Sequence, residues 1–112
     1  MIKNKSAFLS YFFHDPISAI ESVPYGSIDD ERDFAMFLVS VEGGILYRLP
    51  GLQDDKEIVM KACENNPRAI KYASDRLKSD VDLAALVLSQ KSYLIHEFND
   101  DIKDKLYKNL VS

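Results

Sequence analysis

The sequence predicts an all-α domain: a helical repeat bundle of about four degenerate helix-turn-helix units of roughly 25 residues, closed by a C-terminal capping helix. Three observations predict it. Apolar clusters return at Phe8/Leu9/Phe12/Phe13, Phe34/Ala35/Leu38/Val39, Ile58/Val59/Ala62/Cys63 and Leu83/Ala84/Val87/Leu88. A second series, Ala19/Ile20/Val23, Ile45/Leu46/Leu49, Ala69/Ile70/Ala73 and Leu94/Ile95/Phe98, advances in the same steps. Within the first series the spacing is i, i+1, i+4, i+5, which gathers side chains on one side of a helix and does not alternate as a strand would. Units this small cannot bury an apolar face alone, so neighbours have to stack.

Each first helix runs about ten residues by this pattern. The four end near His14, Val41, Glu64 and Gln90. Their starts carry capping chemistry: Asp30 with Asp33, Asp54 with Glu57 and Ser79 with Asp82 each place an oxygen three residues before an acid. Such pairs satisfy orphan amide donors and complement the positive end of the helix dipole. The first unit offers only Asn4 as a cap. Pro16 and Pro67 suit the first turn of a second, short helix, and Gly43-Gly44 punctuates the chain at the corresponding place. Tyr47 and Tyr72 lie near the ends of these short helices. Loops are expected at 24–27, 50–53 and 74–78. A last helix from about Asp101 to Val111 carries Ile102, Leu106 and Leu110 on one face and is polar elsewhere, as an end cap should be. The first unit departs from the scheme, with Phe8, Tyr11, Phe12 and Phe13 on a terminal helix. Either the following helix covers these rings, the preferred expectation, or they form a self-association surface.

The chain has 112 residues and 46% hydrophobic content, which fits one compact domain over residues 1–112. Its net charge of -4 disfavours counterion-release binding to nucleic acid and attraction to anionic membranes. No apolar run approaches the roughly 20 residues that span a bilayer. The start of the chain imitates a signal peptide only faintly, because Ser10 interrupts the apolar stretch and no small-residue cleavage site follows. The single Cys63 leaves no internal disulfide and suits a reducing compartment. The expected location is the cytoplasm, or a host cytosol reached by a route independent of a signal peptide.

Residues capable of catalysis are present but not assembled. His14 beside Asp15 and His96 beside Glu97 have the composition of a general base, yet sequence neighbours do not face each other on a helix. Both histidines are expected at the surface or at helix ends. Cys63 could serve as a nucleophile, but it occupies the repeat position held elsewhere by Phe13, Val39 and Leu88 and reads as a core filler. The acidic clusters Asp29-Asp30-Glu31, Asp54-Asp55 and Asp80-Val81-Asp82 lack the glycine and distal glutamate of a calcium loop, and capping accounts for them. No catalytic residue, metal site or cofactor is therefore expected.

What remains is surface. Tyrosine and arginine dominate binding hot spots because each couples a broad contact area to a polar handle. Tyr11, Tyr25, Tyr47, Arg48, Arg68, Tyr72, Arg76 and Tyr93 are the candidate partner-binding residues.

The segment from Asp55 to Asp80, with its acid, apolar helix, polar turn, Tyr72-Ala73-Ser74 stretch, Leu77 and next acid, resembles the repeat of the domain of unknown function 4116 family. The resemblance is best over residues 54–103, weaker over 30–53 and poor before 30, where Asn4 stands in for the capping acid. It implies helical repeats found in bacterial and protist proteins, some of them from intracellular pathogens, and brings no catalytic residues. The expected function is a protein-binding regulatory module, in particular a small stoichiometric inhibitor of a partner enzyme such as a bacterial effector. Two other readings compete with it. One is a structural repeat that homodimerises through its N-terminal aromatic helix, and the other is an enzyme using Cys63 or His96 with a nearby acid.

Overall fold

A computed structural model describes residues 32–111 continuously, together with Ser10, Phe13, His14, Asp15, Ser18 and Gly26, and side chains as far as Lys108. Four ten-residue α-helices organise the described chain: α1 (Arg32–Val41), α2 (Lys56–Asn65), α3 (Val81–Gln90) and α4 (Ile102–Val111). Between them run 3-10 helices η1 (Gly43–Arg48), η2 (Pro50–Leu52), η3 (Pro67–Tyr72), η4 (Leu77–Ser79) and η5 (Ser92–Glu97). The described residues contain no strand. The fold is all-α. The short second helices expected from the sequence are thus 3-10 turns, and within the expected loops Pro50–Leu52 forms a single 3-10 turn and residues 77–78 form another that runs on to Ser79.

The joints between α-helix and 3-10 helix follow one rule. Glu42, Asn66 and Lys91 are single non-helical residues with φ of -148°, -145° and -141°, the first two extended. Pro67 at the first position of η3 explains the second joint, since the residue before a proline is driven out of the α region. Gly43 explains the first by a different route than helix breaking. A Cβ built there would meet the Ala62 carbonyl oxygen at 2.1 Å, so only glycine lets η1 approach the α2 backbone. Its amide also donates to Asn65 Oδ1 at 2.7 Å. Lys91 has neither device, and packing of η5 against α3 and η3 imposes the break.

Packing is sequential. Helices α1, α2, α3 and α4 lie each against the next, and η1, η3 and η5 form a second row beside them. The core fills the space between the rows. Phe34, Ala35, Leu38, Val39, Ile58, Val59, Ala62, Cys63, Leu83, Ala84 and Val87 come from the α row, and Ile45, Leu46, Leu49, Ala69, Ile70, Ala73, Leu94 and Phe98 from the 3-10 side. Each fully buried Leu, Ile or Val in this set contributes about 1.5–3 kcal/mol relative to an exposed position. The apolar series therefore marks the core across the three described units, with Leu88 and Ile95 only partly buried at its edge. Leu52 and Leu77, which the pattern left in loops, complete it. Ile102 is buried and Leu106 half-buried, as expected for the inner face of a capping helix. Most of the first unit lies outside the described residues. Phe13 corrects the covered-core expectation at its own position: it is 69% exposed and meets Phe37 edge to face, with ring centroids 6.4 Å apart.

Polar contacts between successive units recur in kind. The Gln53 and Lys78 carbonyls accept from the Ser74 and Asn99 amides at 2.9 and 3.0 Å. The last residue of α2, Asn65, donates from its side chain to the Ser40 carbonyl, and the last residue of α3, Gln90, donates to that of Cys63. The first residues of α1 and α2 are cations bound to the start of the next helix. Arg32 spans Asp55 and Glu57, and Lys56 spans Asp80 and Asp82.

The caps fall one residue later than expected. Asp55 and Asp80 accept from the amides of Ile58 and Leu83, so the oxygens expected of Asp54 and Ser79 do other work. Asp54 takes the Ser74 hydroxyl and the Arg76 guanidinium, while Ser79 donates to Asp101 and accepts from Asn99. The physical reason is that Asp55 and Asp80 have the extended backbone a cap requires, whereas Asp54 lies in the preceding turn and Ser79 ends a 3-10 turn. Asp30 lies outside the described residues. Before α1, the Asp15 carboxylate accepts from the Ser18 amide at 3.3 Å, a cap that the sequence pattern had not assigned.

Candidate functional site

The row of 3-10 helices presents a continuous aromatic and cationic face. In a 3-10 helix the repeat is three residues, so positions i and i+3 eclipse. Arg68 and Lys71 on η3 therefore share one edge, and Tyr93 and His96 on η5 share another. Between them lies a groove of about 360 Å³ whose walls include Asn66, Arg68, Lys71, Tyr72, Tyr93 and His96, with Leu94 and Ala69 on its apolar side and Glu97 at its end.

The rings and cations of this face are interleaved. Tyr47 and Tyr72 lie with centroids 5.7 Å apart and planes inclined at 40°. The Arg48 guanidinium carbon is 4.9 Å from the Tyr47 centroid, Lys71 Nζ is 5.2 Å from that of Tyr72, and the Arg68 guanidinium carbon is 5.9 Å from that of Tyr93. Contacts of this kind are worth about 0.5–1 kcal/mol at exposed sites, enough to fix side-chain direction. Tyr47 reaches from η1 to η3 and Arg68 from η3 to η5, so the face crosses the unit boundaries.

Of the eight candidate residues, Tyr47, Arg48, Arg68, Tyr72 and Tyr93 are brought together on this face. Tyr11 and Tyr25 lie outside the described residues. Arg76 does not join the cluster. Its Nε donates to Asp54 Oδ1 at 2.9 Å and a terminal nitrogen to the Asp54 carbonyl at 2.8 Å, so it ties the turn before α2 to the turn before η4. The Ser74 hydroxyl, with Arg76, holds the Asp54 carboxyl below the usual aspartate range.

Lys71, Asn66, His96 and Glu97 were absent from the candidate set. For Lys71 and His96 the available signal is the three-residue spacing from Arg68 and Tyr93, which is hidden when the segment is read with α-helical periodicity. His96 is exposed, as expected, with Nδ1 2.7 Å from the Tyr93 carbonyl oxygen. Its neighbour corrects the expectation that adjacent residues stay apart. His96 Nε2 lies 3.1 Å from Glu97 Oε1, because the 3-10 helix ends here and the backbone turns out at Phe98.

The Cys63 thiol is buried in the core, and desolvation pushes it up to about 12, so at neutral pH it is protonated. That matches its reading as a core filler. Among the described residues no three His, Cys, Asp or Glu side chains gather as a metal ion would need. Among them, too, no helix is long and apolar enough to cross a membrane.

Fold and face together define a stack of short helical units with an aromatic-cationic surface along one row. The chain belongs to the family described as Domain of unknown function (DUF4116), whose model matches residues 31–78 and again 55–103. The two placements begin and end about one unit apart, so one model accommodates successive units in the same register. No curated protein and no solved structure shows a significant match to the chain.

Proposed function

We propose that this chain is a protein-binding regulatory module whose contact surface is the row of 3-10 helices. The observation that carries the reading is the cluster of Tyr47, Tyr72 and Tyr93 with Arg48, Arg68 and Lys71 interleaved along one face. Broad rings held in place by cations lose little side-chain entropy on binding, and tyrosine and arginine are the residue types on which interface energy concentrates. The form of regulation proposed is stoichiometric occupation of a partner, in particular inhibition of an enzyme, in a reducing cytosol of the producing cell or of a host.

Affinity capture from the native cell tests the reading. The wild type is expected to retain a protein in a fixed ratio, and Tyr93→Ala or Arg68→Glu to release it. Retention unchanged in both variants, or no retained protein, overturns the reading. A second reading, homodimerisation through the N-terminal aromatic helix, is favoured by the exposed Phe13 ring. It predicts a dimer in sedimentation that Phe13→Ser dissociates, and a wild-type monomer excludes it.

A further inference from the structure

We infer that the groove between η3 and η5 takes a short acidic segment of the partner protein, with carboxylates on Arg68 and Lys71 and an apolar side chain against Tyr93 and Leu94. The inference rests on the protein-binding reading above and names what that surface recognises.

The groove brings together two cations that no carboxylate of the described chain engages. Several cations elsewhere are engaged: Arg32 by Asp55 and Glu57, Lys56 by Asp80 and Asp82, Lys61 by Glu64, Arg76 by Asp54, and Lys105 by Asp101, while Lys91, Lys103 and Lys108, which have no ion pair among the described residues, lie outside the groove. Arg68 and Lys71 form no ion pair among the described residues. They lie over tyrosine rings instead, and a ring leaves the outer hydrogen-bonding edge of a cation available to a carboxylate. The lining contains one carboxylate, Glu97, and His96 lies against it. A groove with two uncommitted cations and an apolar wall therefore complements an acid next to an apolar residue.

The net charge of -4 decides between classes of anion. A polyanion such as nucleic acid experiences the whole negative field, whereas a few carboxylates experience mainly the local cations within a Debye length. The groove of about 360 Å³ is also the size of a few side chains, at the low end of ligand sites.

Fluorescence anisotropy with a labelled short peptide of alternating Glu and Leu tests this, beside the same peptide with Gln for Glu and a single-stranded oligothymidylate. The acidic peptide is expected to bind and to weaken with added salt. Arg68→Glu and Lys71→Glu should each cost about tenfold in affinity, the scale of one charge-assisted contact, while Lys103→Glu on α4 leaves it unchanged. Arg68 and Lys71 are exposed, and unaltered circular dichroism certifies the fold of their variants. Equal binding of the Gln peptide, tighter binding of the oligothymidylate, indifference to both charge reversals, or no binding of the acidic peptide overturns the inference. Should a captured partner depend on Tyr93 while the acidic peptide fails to bind, the acidic-segment inference falls alone. Loss of the capture result itself removes the reading beneath it.

Discussion

Replacing Gly43 by alanine should be strongly destabilising, far more so than the same change at Gly44. A Cβ at that position would lie 2.1 Å from the Ala62 carbonyl oxygen and 3.0 Å from its carbonyl carbon, both backbone atoms of α2. Ordinary contact begins near 3.4 Å, so η1 and α2 have to separate by about 1 Å. Neither can do so by a rotamer change. The separation loosens the packing of Ile45 and Leu46 against α2 and lengthens the 2.7 Å bond from the Gly43 amide to Asn65. Overpacking of a filled interior costs about 1–3 kcal/mol, and loss of the hydrogen bond about 1 kcal/mol more, so the expected destabilisation is about 2–4 kcal/mol. Gly44 supplies the control. Its added Cβ would meet Glu42 Oε1, the far end of a flexible side chain, at 3.2 Å. Gly44→Ala should therefore stay within about 1 kcal/mol of the wild type, since the entropy lost by the unfolded chain offsets a small shift of Glu42. Urea denaturation followed by far-ultraviolet circular dichroism reads both. Equal midpoints for the two variants would refute the close approach of η1 to α2.

Other perturbations probe separate parts of the molecule. Leu77→Ala, in a turn that the sequence pattern left outside the core, should cost about 2–5 kcal/mol because the side chain is fully buried, while the exposed Lys103→Ala stays within about 0.5 kcal/mol. Comparable midpoints in denaturation would contradict the placement of Leu77. Asp55→Ala removes the α2 cap and should cost about 1 kcal/mol, whereas Asp55→Asn keeps the capping oxygen and loses only the charge. Arg32 holds the Asp55 carboxyl below its ordinary value of 3.8, helped by the Ile58 amide, although partial burial opposes them. A depressed folded-state value means that the charge contribution is present at pH well above 3.8 and is lost as pH falls through the lower folded-state value. The wild-type advantage over Asp55→Asn should thus shrink on acidification, and an advantage independent of pH would argue against the Arg32 pairing. Cys63 should resist iodoacetamide at neutral pH while the protein is folded and react once urea unfolds it. Alkylation of the native protein at the rate of a free thiol would contradict its burial.

The α-helices were legible because their signal is strong and local. The pairs at i, i+1, i+4, i+5 mark α1, α2 and α3 to within a residue or two, and the same cadence selects their buried side chains. The second elements were less so. A six-residue stretch such as Pro67–Tyr72 fits an α turn or a 3-10 turn equally well, and the choice is made by packing of η3 against α2 and η1 rather than by propensity. Reading three-residue spacing as α spacing concealed the alignment of Arg68 with Lys71 and of Tyr93 with His96. The capping error is of the same kind. Asp54 and Asp55 are chemically equal in the sequence, and only the backbone conformation at Asp55 makes it the cap. Arg76 resembled the other candidate arginines in composition, but its partner Asp54 lies 22 residues away in sequence, a separation that no local pattern reveals.

The central claim is that this chain meets its partner through the row of 3-10 helices. Hydrogen-deuterium exchange of the captured complex, compared with the free protein, addresses it most directly. Added protection is expected over 67–72 and 92–97, with the helices 56–65 and 81–90 exchanging as in the free protein. Protection confined to the α row, with 67–72 and 92–97 unaltered, would contradict it.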